Sequence, residues 1–171
     1  MWAYGLSKNN INKIIQIPID DRLPSHGLEK IDVEKPRIND DEVLVKVKAS
    51  SLNYNSIWSS LCHPLTPVQL ISSYIQRNPR EKDHDRENYI FGSDASGIIK
   101  EIGKNVQGWS IGDQVIIHCN IVNTFDNVIQ KDGMLSNSQS IWGYETNYGA
   151  FAEYTKVKAS QLIKKPANLS W

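Results

Sequence analysis

The sequence predicts a mainly β domain with one or two short helices, and three observations lead to this fold class. Residues 42–48, E-V-L-V-K-V-K, place Val43, Val45 and Val47 at every second position, which is the period of a half-buried strand. Gly, Asn, Asp and Pro separate four further runs that have the composition of strands, at 96–102, 113–118, 152–157 and 161–164. The 171 residues are about the length of one domain. A small β domain of this kind closes into a barrel or folds as a sandwich, and composition and periodicity leave that choice open.

Two short helices are predicted between the first two strands. Thr66 is the expected N-cap, Pro67 the first helical residue and Gln69 the partner of Thr66 in a capping box. Apolar residues at helical spacing continue from there to about Arg77. A shorter helix is predicted over residues 55–61.

The charge balance excludes several classes of partner. Lys+Arg and Asp+Glu both number 19, so no basic field points to nucleic acid or to an anionic membrane. Residues 78–88, N-P-R-E-K-D-H-D-R-E-N, are almost wholly polar and predict a solvated loop. No apolar run approaches the roughly 18 residues of a membrane helix. The N-terminal residues do not form a secretory signal and the two cysteines do not form a disulfide framework, so a cytoplasmic location is expected.

Three ordered glycine motifs narrow the choice of fold. They are F-G-S-D-A-S-G-I-I at 91–99, I-G-K-N-V at 102–106 and W-S-I-G-D-Q-V at 109–115. We expect Gly97 to let a strand pass close to its neighbour, and Gly103 and Gly112 to make tight turns between strands. The series resembles the medium-chain dehydrogenase/reductase superfamily, and this resemblance implies a GroES-like, partly open β-barrel.

Further stretches resemble the crotonyl-CoA carboxylase/reductase branch of that superfamily. They are 49–58 with its N-Y-N turn, 141–154 with I-W-G-Y-E-T-N-Y-G, and the ending 158–171. The resemblance runs from about residue 41 to the end, so residues 41–171 are predicted as the GroES-like domain. Residues 1–40 are predicted as an N-terminal segment that packs on the barrel or leads into it. The resemblance implies an NADPH-dependent reductase of 2-enoyl-CoA thioesters, and members of the branch either carboxylate or protonate the enolate.

The sequence contains no G-x-G-x-x-G between a strand and a helix and no β-α-β alternation. The Rossmann domain is therefore predicted to be absent from this chain. The chain itself would supply one wall of an active site. The resemblance implies an acyl-CoA thioester as substrate, a separate Rossmann-type domain that binds NADPH, and a homo-oligomer for the complete enzyme. We expect the isolated chain to bind NADPH negligibly and to be inactive. The alternatives are a non-catalytic fragment or remnant and a GroES-like β-barrel binding module. A segment encoding a Rossmann domain in the downstream reading frame would favour the reductase over these alternatives.

Candidate site residues follow from the reaction that the resemblance implies. Hydride addition at the β-carbon develops negative charge on the α-carbon and on the thioester oxygen, and uncharged amide donors suit such charge and suit carbon dioxide. Asn55 of the N-Y-N turn and the pair Tyr144 and Glu145 are the candidate catalytic residues. The candidate substrate-binding residues are Asn53, Tyr54 and Asn147.

Other interpretations of these residues stay open. Asn53 and Asn55 are also typical turn formers that bond their own backbone. Trp142 and Tyr144 are also typical of core packing, and Glu145 of an exposed strand end. The branch has Phe where this sequence has Tyr144, and a hydroxyl there would favour protonation over carboxylation because it admits water.

No metal is expected at the site. The Cys-His pair at 62–63 and the His-Cys pair at 118–119 each offer one ligand at a time, because adjacent residues of an extended chain point to opposite faces. Zinc needs four close ligands, or three and a water. Zinc-dependent relatives place ligands where Asn53 and Ser93 stand here. Without a metal, Asp94 is expected to bond backbone or serine groups nearby.

Overall fold

Strands provide most of the regular structure. The computed structural model describes residues 1–122, 135–136 and 138–171. Its strands are β1 (Trp2–Ser7), β2 (Glu29–Asp32), β3 (Glu42–Ser50), β4 (Asn88–Ile90), β5 (Ala95–Ile102), β6 (Gln114–Ile117), β7 (Asn120–Ile121), β8 (Ser140–Ile141), β9 (Tyr154–Lys158) and β10 (Leu162–Lys164). Its helices are α1 (Lys8–Ile14), α2 (Tyr54–Leu61) and α3 (Pro67–Arg77), with short 3-10 turns at Ile19–Asp21, Pro24–His26, Pro79–His84 and Ala159–Gln161. The predicted mainly β class is confirmed.

A five-stranded antiparallel sheet with the order β10-β6-β5-β3-β9 forms the centre of the fold. Val45 of β3 lies opposite Ile99 of β5 on one side and Thr155 of β9 on the other. All five strands predicted from the sequence belong to this sheet, and their ends differ from the predicted ones by at most two residues. A three-stranded sheet, β2-β1-β4, and the β7–β8 pair are separate from it, so the sheets remain open at their edges.

Two of the motif glycines do what the sequence predicts. A Cβ on Gly97 would lie 2.3 Å from the carbonyl oxygen of Lys46, so only glycine lets β5 run this close to β3. Gly112 has φ of +98°, the left-handed conformation that glycine adopts without strain, in the turn that leads into β6.

The first half of β3 is buried on both faces, whereas the alternating pattern predicts a half-buried strand. Val43 and Val45 face the main core together with Trp142. Glu42 and Leu44, on the opposite face, are also buried, at 3% and 0% exposure. The strand pattern misses this because the second face is covered by charged residues that are distant in the sequence.

Part of this cover comes from the segment that the sequence predicts as a solvated loop. Pro79, Arg80 and Lys82 are exposed, but the prediction is wrong for Glu81, Asp83 and His84. All of these residues belong to the 3-10 turn Pro79–His84, in which His84 is buried. Asp83 and Glu81 each accept a 2.7 Å hydrogen bond, from the ammonium groups of Lys156 and Lys158 respectively. The polar residues of this segment pair with lysines of β9 more than 70 positions away, a partnership that local composition does not reveal.

The N-terminal residues form regular structure that the sequence analysis does not foresee. β1 pairs with β2 and with β4, and Tyr4 donates a backbone hydrogen bond to the carbonyl of Phe151 at 2.7 Å. Ser7 caps α1 by accepting from the backbone N–H of Asn10 at 3.1 Å. These contacts join residues 1–40 to the rest of the fold, while the domain boundary after residue 40 stays a prediction.

Both predicted helices are present. Thr66 and Gln69 form the expected capping box of α3, with the Thr66 Oγ1 accepting from the Gln69 backbone at 3.2 Å and the Gln69 Oε1 accepting from the Thr66 backbone at 2.9 Å. The α3 face that carries Leu70, Ile71 and Tyr74 is buried. Among the described residues, no helix has the length and apolar content needed to cross a bilayer.

Candidate functional site

Two asparagine side chains at the start of α2 meet the residues that precede β5. Nδ2 of Asn53 donates to Oγ of Ser93 at 2.8 Å and to Oδ2 of Asp94 at 2.6 Å. Nδ2 of Asn55 donates to the same Ser93 oxygen at 3.1 Å. Ser51 donates to Oδ2 of Asp94 at 3.1 Å, so Asp94 bonds a nearby serine as the sequence predicts. We call these five residues the asparagine–serine cluster.

The hydrogen-bonding capacity of the cluster is unevenly used. Ser93 is buried and accepts from both asparagines, which occupies the two lone pairs of its hydroxyl and leaves only its proton to donate. Asn53 makes three bonds, because its Oδ1 accepts from the Ser56 backbone at 3.2 Å while its Nδ2 donates twice, and it keeps only the second lone pair of that oxygen. Asn55 keeps one N–H and its Oδ1, which bond no other described residue. Asn55 therefore has more hydrogen-bonding capacity left for a ligand, whereas Asn53 caps α2 and ties it to Ser93 and Asp94.

The helix that carries these asparagines turns its apolar side outward. Its buried residues are Ser56, Ser59 and Ser60. Tyr54 is 73% exposed and Trp58 is 41% exposed, and their ring centroids lie 6.0 Å apart. Sequence reasoning names Tyr54 as a candidate but not Trp58, although Trp58 follows Tyr54 at the i, i+4 spacing of a helix.

The turn at 141–145 is anchored next to the cluster. The Gly143 carbonyl accepts from the backbone N–H of Gly92, the residue before Ser93, at 3.0 Å. The ring of Tyr144 lies 6.1 Å from that of Trp58, so the candidate catalytic residues Tyr144 and Asn55 sit on facing elements. Burial, and then the nearby carboxylate of Glu145, raise the pKa of the Tyr144 phenol, which keeps it protonated at neutral pH.

Glu145 is held on the other side of this turn. Its Oε2 accepts from the Ile141 backbone at 2.7 Å, and its Oε1 lies 3.6 Å from Nη2 of Arg77 at the end of α3. Its side chain is 25% exposed. The contacts that Glu145 makes among the described residues thus fix the turn, and none of them joins it to the asparagine–serine cluster.

Asn147 lies in the core and serves the backbone. Its Oδ1 accepts from the N–H groups of Ile90 and Tyr148 at 2.9 and 2.7 Å. Its Nδ2 donates to the carbonyls of His84 and Asn88 at 3.1 and 2.9 Å. These four bonds use the full capacity of an amide, so Asn147 has no group left for a substrate and we do not carry it into the proposed site.

Neither cysteine has the surroundings of a reactive thiol. Burial raises the pKa of Cys62 to about 11, against a smaller opposing effect of Arg22. Burial also raises the pKa of Cys119, and the charge of Asp94 adds to this effect. Both groups are thus protonated thiols at neutral pH.

One group of potential metal ligands occurs in the described part of the chain, at Glu81, Asp83 and His84, with ligand atoms within 4.8 Å of one another. Two of these residues already bind the ammonium groups of Lys156 and Lys158, each at 2.7 Å. Two cations at this distance oppose the entry of a metal ion, so we interpret the group as part of an ion-pair network.

Comparison with known proteins finds a matching domain family and similar crotonyl-CoA reductases. The family profile described as the alcohol dehydrogenase GroES-like domain matches residues 39–167. The chain is 39% identical to the crotonyl-CoA reductase of Streptomyces avermitilis, over 99% of this chain and 38% of that enzyme. It is 41% identical to the crotonyl-CoA carboxylase/reductase of Cereibacter sphaeroides, over 86% of this chain and 32% of that enzyme.

The solved structures agree with the sequence relatives. The apo 2-octenoyl-CoA carboxylase reductase CinF from a Streptomyces species superimposes with a TM-score of 0.92 at 36% identity, over 99% of this chain and 39% of that one. CinF in complex with NADP and 2-octenoyl-CoA gives a TM-score of 0.91 at the same identity, over 99% of this chain and 38% of that one. The chain spans about two fifths of the length of these relatives. It belongs to the alcohol dehydrogenase GroES-like domain family.

Proposed function

We propose that this chain is the substrate-side domain of an NADPH-dependent 2-enoyl-CoA reductase that either carboxylates or protonates its enolate. The observation that carries the proposal is the superposition on CinF bound to NADP and 2-octenoyl-CoA, which extends over 99% of the chain at 36% identity. The N–H and Oδ1 of Asn55 that bond no other described residue support the same function.

In this proposal, Asn55 offers one uncharged N–H and one carbonyl oxygen to the reacting end of the thioester. Negative charge that develops on the thioester oxygen is stabilised by donors fixed in advance, and Ser93 fixes the Asn55 amide from behind. The outward ring of Tyr54 contributes apolar surface to the substrate, while Asn53 acts through the helix that it caps. Tyr144 and Glu145 shape the opposite wall, with Glu145 acting through the turn that it braces.

The described residues do not fit the phosphates of a dinucleotide. A dinucleotide site needs a glycine-rich turn between a strand and a helix, and no described strand–turn–helix unit of this chain has such a turn. We therefore propose that a separate Rossmann-type domain holds NADPH, which would supply the hydride. The two zinc-ligand positions that the resemblance implies hold Asn53 and Ser93, an amide and a hydroxyl that bond each other, and we propose a site without zinc.

The same proposal covers the setting of the complete enzyme. The equal numbers of basic and acidic residues give no reason to invoke nucleic acid or a membrane surface as partner. We propose a cytoplasmic enzyme that assembles as a homo-oligomer once its cofactor domain is present.

The test is a chimera in which residues 1–171 replace the matching segment of the Streptomyces avermitilis crotonyl-CoA reductase. The proposal predicts NADPH oxidation that depends on crotonyl-CoA, at a rate within about a hundredfold of the parent enzyme. The chimera then contains both walls of the active site, one from this chain and one from the cofactor domain. A chimera that folds and binds NADPH but leaves crotonyl-CoA unreduced contradicts the proposal and favours a non-catalytic domain.

A further inference from the structure

Helix α2 has little hydrophobic anchoring of its own. Its buried side consists of Ser56, Ser59 and Ser60, and the hydroxyl oxygens of Ser56 and Ser59 have no hydrogen-bond partner among the described residues. A buried serine contributes far less stabilisation than a buried leucine or isoleucine, and an unbonded hydroxyl costs free energy. Apart from the contact of Trp58 with Tyr144, the contacts that place this eight-residue helix are therefore the polar ones at its two ends.

The end of α2 opposite to Asn53 and Asn55 is held by one side chain from the N-terminal region. Nη1 of Arg22 donates to the carbonyl of Leu61 at 3.0 Å and to that of Cys62 at 3.2 Å. These carbonyls lie where α2 ends, with Cys62 in the left-handed conformation at φ of 52°. The last carbonyls of a helix lack partners within the helix, and a cation there also interacts favourably with the helix dipole.

The same guanidinium is fixed from its other side. Its Nε donates to the carbonyl of Ile17 at 2.9 Å, and its Nη2 donates to that of Ile15 at 3.2 Å. Ile15 is the C-cap of α1, so Arg22 joins the ends of α1 and α2 through four carbonyl groups. A planar guanidinium keeps this geometry because its donors have fixed directions, which a lysine ammonium does not provide.

We infer that Arg22 is a positioning residue, which holds α2 from its C-terminal end and thereby places the Asn55 amide against Ser93, about 9 Å away along the helix from the carbonyl of Leu61. Its link to catalysis rests on the proposed function. Its structural part stands by itself.

The structural part is tested by NMR on the ¹⁵N-labelled chain of 171 residues. Arg22→Gln should speed the hydrogen exchange of the α2 backbone amides about tenfold or more, because hydrogen bonds from a charged donor are lost. It should also shift the side-chain amide signals of Asn53 and Asn55, while the amides of β3 and β5 keep their protection. Arg22→Lys keeps the positive charge but not the planar set of donors, and it should give α2 exchange rates between those of the unmodified chain and Arg22→Gln.

The matched control is Arg37→Gln, since Arg37 is exposed and makes no hydrogen bond or ion pair among the described residues. Unchanged α2 exchange and unmoved Asn55 signals in Arg22→Gln would overturn the inference, as would equal changes in Arg37→Gln. If Arg22→Gln also removes the exchange protection of β3 and β5, the variant Arg22→Lys decides the question. Loss confined to α2 supports the inference, and loss throughout the chain contradicts it.

The catalytic part is tested in the chimera by separating kcat from KM. Arg22→Gln should lower kcat about tenfold and leave the KM for crotonyl-CoA nearly unchanged, because it moves a group that acts on the reacting atoms rather than one that binds the CoA moiety. Unchanged kcat contradicts the positioning role. An unmodified chimera without activity contradicts the proposed function, whereas the NMR result still decides whether Arg22 holds α2.

Discussion

The amide of Asn55 donates to the hydroxyl of Ser93 at 3.1 Å, across 38 positions of sequence. Asn53 donates to the same oxygen at 2.8 Å, so one buried hydroxyl orients both asparagines of the N-Y-N turn. Sequence reasoning assigned Ser93 only the role of replacing a zinc ligand. The structure gives it the central place in the cluster.

Ser93→Ala should lower the free energy of unfolding by about 1–3 kcal/mol, because two amide donors then lose their acceptor in a buried place. Urea denaturation of the variant measures this difference. Ser72→Ala, at an exposed position of α3, is the control and should change stability little. Equal stability of the two variants would show that the cluster does not brace α2.

Lys156→Met should destabilise the fold by about 3–5 kcal/mol, since Lys156 is buried between the carboxylates of Glu42, at 3.3 Å, and Asp83, at 2.7 Å. The variant would leave Glu42 without this partner beneath the 3-10 turn. Chemical denaturation measures the loss, with the exposed Lys100→Met as control. A loss no greater than that of the control would mean that the ion-pair network adds nothing to stability.

Glu81 should make the stability of the fold depend on acid pH. The imidazole of His84 and the ammonium of Lys158 lower its pKa to about 2, although burial acts in the opposite direction, and Lys158 makes the closer contact. Because the folded-state pKa is depressed, this contribution is complete above the unfolded value of about 4.3 and is lost as pH falls towards 2.

Denaturation midpoints measured between neutral pH and pH 2 test this dependence. Glu81→Gln should flatten the acid limb of the curve, whereas Glu101→Gln, which breaks only the exposed pair with Lys35, should preserve it. Parallel curves for Glu81→Gln and the unmodified chain would contradict the assigned pKa.

Tyr144→Phe should shift the products of the chimera towards the carboxylated acyl-CoA. The resemblance to the crotonyl-CoA carboxylase/reductases implies a phenylalanine at this position, and the hydroxyl of Tyr144 brings a polar group into the wall that faces Trp58. The fraction of carboxylated product at saturating bicarbonate is the measurement. A lower fraction, with hydride transfer unchanged, would show that the hydroxyl assists carboxylation instead.

The sequence predicted those parts of the fold that depend on local patterns. The central strands, the capping box of Thr66 and Gln69, and the close approach at Gly97 are all present because alternation, caps and glycine contacts are written in neighbouring residues. Local composition predicts a solvated loop at Pro79–His84 and does not reveal the ion pairs of Glu81 and Asp83, because their partners, Lys158 and Lys156, lie on a strand far along the chain.

The candidate site was predicted by residue type but not by role. Asn53 and Asn55 do lie together, yet only Asn55 keeps a free N–H donor for a ligand. Asn147 was chosen for its amide, and the structure uses all of that amide to bond four backbone groups. Which atoms of a side chain are already bonded depends on tertiary contacts, and a sequence pattern does not contain that information.

The most direct test of the account is the ratio of carboxylated to merely reduced acyl-CoA that the chimera makes at saturating bicarbonate. Asn55→Ala removes the free amide groups and should change this ratio about ten- to hundredfold, since a lost hydrogen bond to developing charge is worth roughly 1.5–3 kcal/mol. Glu145→Ala should change it less, because Glu145 acts through its turn, and Asn105→Ala at an exposed position should leave it unchanged. A ratio that stays the same in Asn55→Ala and Glu145→Ala, with NADPH oxidation intact, would show that these residues pack the wall and take no part in the fate of the enolate.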